Sequence, residues 1–349
     1  MPSYLVERAQ LPDARGVVLA LGHRNLSGFS EARYAKYYET NPLGLPVVCL
    51  ARTEPGGPPV GMAALIPIEL SVSGTLVRAG IAADFAVDAE HRGLGPALQL
   101  QRALLARMPE EGLEAVIGLP NAPAEPVFRR LRFRELGRFS RFVKPLRTGV
   151  LLDRQLGRPV LGAVASALVD PLLPLVTRER RAASRACSLE LAEAFDERFS
   201  PFFEHGADTP QVAVRRSVAL LNWKYGLPQE PANRLLAALS RDGSVVGYAV
   251  VRERNGVLHV LELQAAGARA GLSAVLSGLA RYARAQRAGA LSLRCLDGAR
   301  SLTSALRPPA FFERDEQRPL LVHVPEPRPG TAPLLEPRHW LFLEGDADL

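Results

Sequence analysis

A chain of 349 residues is too long for one ordinary small core and predicts two domains of roughly 150 residues each. With 47% hydrophobic and 23% charged residues it is not a disordered chain. Its net charge of +7 is almost wholly arginine, since Lys36, Lys144 and Lys224 are the only lysines. A nucleic-acid partner, which needs basic residues gathered on one face, is not expected, whereas an anionic small ligand is.

The three cysteines, Cys49, Cys187 and Cys295, lie far apart without a Cys-x-x-Cys pair, so neither a disulfide framework nor a thiolate metal site is expected. The histidines are equally scattered. The segment Met1 to Arg8 has no basic run followed by an apolar core, and the expected location is the cytoplasm.

In chain order, Tyr4 to Ala9 reads as a strand, Asp13 to Leu21 and Glu31 to Thr40 as helices, and Pro46 to Arg52 as a strand. Val60 to Val72 and Leu76 to Val87 form a hairpin around Ser73-Gly74. A glycine loop follows, then a helix over Pro96 to Met108, an apolar strand over Ala115 to Leu119 and a helix over Ala124 to Leu131. Phe133 to Leu136 and Phe139 to Val143 are expected to close this half as an antiparallel pair.

Between Pro145 and Arg185 the composition changes. The apolar stretch 160–176 is too short and too broken, by Asp170, Pro171 and Pro174, to span a bilayer. It reads as a packed helical linker, with a membrane-surface contact as the other reading. Beyond it the first pattern recurs loosely. Strands are expected at Cys187 to Ala192, Arg234 to Ser240, Val245 to Arg252, Val257 to Leu263 and Ala290 to Cys295. Helices are expected at Asp196 to His205, Arg215 to Tyr225 and Leu272 to Arg287, and the tail ending in His339-Trp340-Leu341-Phe342 should pack back.

The segment carrying chemistry is Arg92-Gly93-Leu94-Gly95-Pro96-Ala97. A phosphate cradle needs inward backbone N–H groups, residues that permit a tight turn, and a helix starting at the ligand so that its dipole meets negative charge. Gly93 and Gly95 are read as allowing positive φ and close approach, Pro96 suits the first helical turn, and Arg92 adds a cation that can fork onto phosphate. A dinucleotide motif would need glycine where Leu98 stands, and no Gly-Lys-Ser/Thr of a Walker loop exists.

With the strand Asp84-Phe85-Ala86-Val87 before it and Leu119-Pro120-Asn121 after it, the segment resembles the GNAT superfamily of N-acetyltransferases. That family's acyl-CoA loop reads Arg/Gln-x-x-Gly-x-Gly/Ala, matched by Arg92, Gly95 and Ala97. The resemblance covers roughly residues 3 to 146 and implies an α/β fold, a mixed, mostly antiparallel sheet flanked by helices. It further implies acetyl-CoA or another acyl-CoA as co-substrate and a small-molecule amine as acceptor, an amino sugar among the candidates. Carried over by position, Phe85, Ala86 and Val87 would offer backbone groups to the pantetheine arm, residues 92 to 97 would hold the pyrophosphate, and Asn121 would hydrogen-bond the cofactor. Asp84 would be the base that deprotonates the amine, or else simply a hydrogen-bonded strand carboxylate. Where many relatives carry a proton-donating tyrosine stands Phe128, which lines the cofactor without donating.

Further candidates are His91 beside the loop, Tyr34, Tyr37, Tyr38, Glu39 and Asn41 near the acceptor side, and Arg129 and Arg130, which read better as a solvated helix face. The second half lacks a cradle: Gln264 to Arg269 has an arginine where a small residue is needed. The resulting division is an acyl-CoA-binding domain over 1–146, a linker over 147–184, and a degenerate second copy over 185–349, a tandem arrangement resembling bacterial two-domain members. A protein that binds acyl-CoA without turnover is the alternative.

Overall fold

The structure, a computed structural model, describes residues 4–147, 188–206, 210–227, 229–298, 300–306 and 311–347. Among these residues fourteen strands join in one sheet. The first half contributes β1 (Leu5–Arg8), β2 (Val47–Arg52), β3 (Pro59–Val72), β4 (Thr75–Val87) and β5 (Ala115–Gly118), side by side in that order. Neighbours run antiparallel except β4 and β5, which are parallel. The β3–β4 turn places Ser73 and Gly74 at φ of 51° and 83°, the left-handed pair that matches strand twist in a two-residue hairpin.

Helix α1 (Arg15–Asn25) and the short α2 (Glu31–Tyr34) follow β1, and α2 widens into a π-helical turn over Ala35–Glu39. Ser30 starts α2 by accepting the Arg33 N–H at 3.2 Å. Helix α3 (Leu94–Ala106) links β4 to β5, beginning two residues earlier than its proline suggests, and α4 (Glu125–Arg130) follows. Leu100 and Leu104 of α3 are fully buried against Cys49, Ala63 and Val116.

The second half repeats this order and these senses. β7 (Ser188–Ala192), β9 (Asn233–Leu239), β10 (Val245–Arg254) and β11 (Val257–Ala265) are antiparallel neighbours, and β11 runs parallel to β12 (Ala290–Asp297). A short β8 (Val212–Val214) pairs with β3 of the first half. Helix α5 (Val218–Tyr225) precedes β9, and α6 (Ala268–Ala285) takes the place of α3. The expected helix over Asp196 to His205 is instead a 3-10 turn, Glu197–Phe199, and a π-helical turn, Phe202–Gly206.

The closing hairpin expected at Phe133 to Val143 does not form. Both segments belong to one strand, β6 (Arg134–Pro145), bent at Gly137, where φ is 143°. Between β5 and β6 lies β13 (Phe312–His323) from the far end of the chain, and the other edge of β6 pairs with β12. The two halves therefore exchange strands. Burial explains it: Leu136 and Phe139 pack into one cluster and Phe142 and Leu146 into another, as a strand covered on both faces requires.

After the short α7 (Ser301–Leu306) and β13, the tail crosses back over the first half. Trp340 is fully buried with Phe342 against Leu70, Ile81 and Ile117, and its Nε1–H donates to the Leu334 carbonyl at 3.0 Å. β14 (Leu341–Leu343) then pairs with β12, and α8 (Glu344–Ala347) follows. Here Arg216 donates to Glu262 at 3.0 Å and to Asp346 at 2.8 Å, while Lys224 donates to Asp346 at 2.8 Å. Both carboxylates have no exposed side-chain surface. The apolar stretch 160–176 and the linker beyond Arg147 lie outside the described residues, and no helix among the described ones is long and apolar enough to cross a membrane.

The exchange predicts that a fragment of residues 1–147 fails alone, because β5 becomes an unpaired edge and Ile81 and Ile117 lose Leu320, Val322 and Trp340. The expected outcome is aggregation in light scattering and no cooperative urea transition; a soluble fragment with a sharp transition would contradict it.

Candidate functional site

β4 and β5 pair from Ala79 opposite Ala115 to Ala82 opposite Gly118, and no further. β4 then runs on to Val87 held by β3 alone. In that stretch the register slips between Met62 opposite Ala86 and Ala64 opposite Ala83, so that Asp84 and Phe85 face the single residue Ala63. This is a β-bulge, with Asp84 in the left-handed region at φ 47°. The bulge bends β4 away from β5, and main-chain groups of Phe85, Ala86 and Val87 are left without a strand on that side. A cavity of about 320 Å³ fills the gap, walled by Ala83, Asp84, Phe85, Asn121 and Phe128, with Arg33 across it.

Asp84 is 5% exposed and engaged on both oxygens. Oδ1 accepts from Arg33 Nε at 3.2 Å and Nη2 at 2.9 Å, and Oδ2 accepts from the Tyr38 hydroxyl at 2.7 Å. Burial pushes the Tyr38 phenol well above its ordinary value and the Asp84 charge adds to it, so Tyr38 remains a protonated donor. The other residues expected on the acceptor side serve structure. Tyr34 stacks on Tyr38 at 4.7 Å, Tyr37 meets Trp223 edge-on at 5.7 Å, Glu39 pairs with Arg15, and Asn41 donates to the Pro67 carbonyl. Arg33, which the sequence reading did not single out, is the residue that fixes Asp84.

Asp88 anchors the start of the loop by accepting from Arg24 Nε at 2.8 Å and Nη2 at 2.7 Å and from Asn25 at 2.6 Å. Although partial burial pushes its carboxyl up, the hydrogen bonds from Asn25 and Arg24 outweigh this and hold it below its ordinary value. A 3-10 turn, Ala89–His91, leads to Gly93, where α3 begins with no side chain capping it. The N–H groups of Gly93, Leu94 and Gly95 are thus presented at a helix N-terminus, Pro96 having none.

The positive φ expected of these glycines is not found: Gly93 is extended at 162° and Gly95 lies inside the helix. Their use is spatial instead. A Cβ on Gly93 would meet nothing within 4 Å, and one on Gly95 would meet only a Tyr4 ring carbon, at 3.6 Å, so open space faces the turn. Arg92 stands beside it, its Nε donating to the Val87 carbonyl at 3.2 Å. His91 is taken up by Tyr4, whose hydroxyl lies 3.2 Å from Nδ1.

Asn121 Oδ1 accepts the Ala124 N–H at 3.1 Å at the entrance to α4. Phe128 is buried in the cavity wall beneath Gly118, where a Cβ would lie 2.6 Å from its ring. Arg129 pairs with Glu125 and Glu135 on the surface, the solvated helix face expected of it. Two lining residues that no local motif announces, Arg318 of β13 and Ala347 of α8, come from the second half.

In Tyr38→Phe, Asp84 Oδ2 loses its phenolic donor inside the fold while Arg33 stays in place. A stability loss of about 1–3 kcal/mol is expected in urea melts; an unchanged midpoint would show that the phenol does not support the carboxylate.

Residues 30–133 match the model of the acetyltransferase (GNAT) domain, which places that domain in the first half of the chain. No curated protein matches the sequence. Among solved structures, a probable N-acyltransferase of Enterococcus faecalis is similar with a TM-score of 0.66 at 12% identity, over 92% of this chain and 73% of that one. A GCN5-related N-acetyltransferase of Kribbella flavida is similar at 0.58 and 15%, over 92% and 71%. The N-myristoyltransferase of Saccharomyces cerevisiae with bound myristoyl-CoA is similar at 0.54 and 11%, over 92% and 82%. At these identities the likeness is one of fold.

Proposed function

We propose that the protein transfers an acyl group, acetyl by default, from acyl-coenzyme A to the primary amine of a small molecule, with amino sugars the first acceptors to test. The GNAT domain match supports acyl transfer, and one observation carries the site: the uncapped first turn of α3 and the gap between β4 and β5 lie along one strand, β4. The N–H groups of Gly93, Leu94 and Gly95, with Arg92, suit a pyrophosphate. The main chain of Phe85, Ala86 and Val87 and the Asn121 amide suit the two amides of a pantetheine arm.

In the reaction, the amine nitrogen attacks the thioester carbonyl carbon, the C–S bond breaks, and the products are an amide and a thiol. An unpaired N–H in the β4 gap is suited to the carbonyl oxygen as charge develops on it. The amine must shed one proton. Asp84 lines the cavity, and while Arg33 engages Oδ1 twice, Oδ2 keeps a lone pair beyond the one engaged by Tyr38, so we assign Oδ2 to receive the hydrogen bond of the attacking amine. The thiolate takes its proton from water, because Phe128 has none to give.

We read the chain as two GNAT-like units, 1–146 and 185–349, joined by 147–184 and working in the cytoplasm. The second unit lacks a cradle: a Cβ at Gly271 in the first turn of α6 would lie 1.7 Å from the Ala266 carbonyl, so the chain itself fills that space. Phe128 favours a second reading, acyl-CoA binding without turnover.

Calorimetry with acetyl-CoA tests the proposal. Binding to the wild type that Gly95→Trp lowers at least tenfold, followed by thiol release on adding an amine, is the expected result. Tight binding with no thiol released on any amine would select the non-catalytic reading, and no binding at millimolar ligand would remove both.

A further inference from the structure

A second cavity, of about 630 Å³, meets the first, with Arg318 and Ala347 lining both. Its floor is one face of four adjacent strands, β10, β11, β12 and β6. Register fixes the face: Arg252 stands opposite His259, His259 opposite Ser292, and Arg294, two residues on from Ser292, opposite Arg141. Arg254 is two residues on from Arg252, and Arg141 is also opposite Arg314 of β13. Five arginines therefore share one face, three of them abreast across β12, β6 and β13.

Like charges directly opposed on neighbouring strands are destabilising unless carboxylates offset each of them. Glu316 and Glu344 both lie on Arg294, at 2.8 and 3.2 Å. Among the described residues, Arg141 and Arg254 line the cavity with no carboxylate within 4 Å, Arg141 using its Nε on the Ser292 hydroxyl. Repulsion kept in a cavity wall, beside a transfer site, calls for an anion. Guanidinium forks match the geometry and the double charge of a phosphate ester better than those of one carboxylate.

We infer that this cavity is a phosphate subsite and that the acceptor amine carries a phosphate group at the end remote from its amine. The inference rests on the acyl-transfer reading for the acceptor's identity, but the subsite itself does not. Arg141 and Arg254 are the specificity residues, and Arg318 stands where the two cavities join. His259, half-buried and facing Arg141, Arg294, Arg254 and Arg252, reports on occupancy. Burial first, then these four charges, hold its imidazole down at about 4, and a bound phosphate, by countering them, raises it.

The experiment has two arms. Inorganic pyrophosphate is titrated by calorimetry into the wild type, Arg141→Gln/Arg254→Gln and Gly95→Trp, with His259 followed by NMR. Expected are binding weakened at least tenfold in the double arginine variant and kept in Gly95→Trp, and an upward shift of the His259 midpoint. Binding lost only in Gly95→Trp, with His259 unmoved, would overturn the subsite. In the second arm, acetyl-CoA-dependent thiol release is compared for glucosamine and glucosamine 6-phosphate. A kcat/KM at least tenfold higher for the phosphate ester, collapsing in the double variant, is expected, and a preference for the neutral sugar would overturn the assignment of the acceptor. Arginine-dependent pyrophosphate binding in a protein that acylates no amine would sustain the subsite and overturn the acyl-transfer reading instead.

Discussion

The arrangement depends on where β6 and β13 find their hydrogen-bond partners. A strand edge left open beside β5 would be an exposed row of donors and acceptors over an apolar face, and the chain closes it with a strand from its far end. The reciprocal pairing of β6 with β12 makes the exchange symmetrical. It welds two halves that could have been beads on a string into one sheet, and the cost is a large loop closure that grows only slowly with the length of chain between. The functional consequence is direct. Because β13 must lie next to β5, its irregular stretch between Asp315 and Pro319 carries Arg318 to the mouth of the first-half cavity.

The same topology read twice shows how one half stays open and the other closes. Counting from the first parallel pair in each half, at Ala79 and at Val257, Asp84 and Glu262 both come five residues later, each beside a bulge. Each accepts from an arginine and from a tyrosine hydroxyl, Arg33 and Tyr38 in the first case, Arg216 and Tyr225 in the second. What differs is the tail. Asp346 of α8 lands on Arg216 and Lys224, and Gly345 fits against Tyr225 so closely that a Cβ would lie 2.2 Å from its hydroxyl. Charges buried this deeply give little net stability, but removing one partner strands the others, so they specify where the tail must sit.

Much of the first half was legible because its signals are local. The Ser73-Gly74 turn, the apolar stripe of α3 and the glycine loop each state their geometry within a few residues. Gly93 and Gly95 sit at the start of α3, and it is open space rather than the expected positive φ that they supply there. The unusual φ belongs to Asp84, where no composition rule would look. Arg33 was missed because it meets Asp84 at a bulge of β4, 51 residues away in sequence, and a bulge has no sequence period. β13 was missed for a related reason. Its first half, Glu313-Arg314-Asp315-Glu316-Gln317-Arg318, is charged at every position but Gln317 and is followed by Pro319, so it reads as loop until a neighbour supplies the pairing.

That charged run is also what makes the arginine face intelligible. In an ordinary antiparallel sheet the solvated face alternates signs across strands, and cross-strand pairs of opposite charge contribute a few tenths of a kcal/mol each. Here Glu313 of β13 stands on the opposite face from Arg141 and accepts from Ser140, while Glu316, on the same face, turns to Arg294. Sequence supplies the acids and topology directs them elsewhere, leaving a concentration of guanidinium at the junction of the halves. The strand exchange that stabilises the sheet thus also builds an arginine-rich wall next to the gap between β4 and β5, and neither half alone contains all the residues that make it.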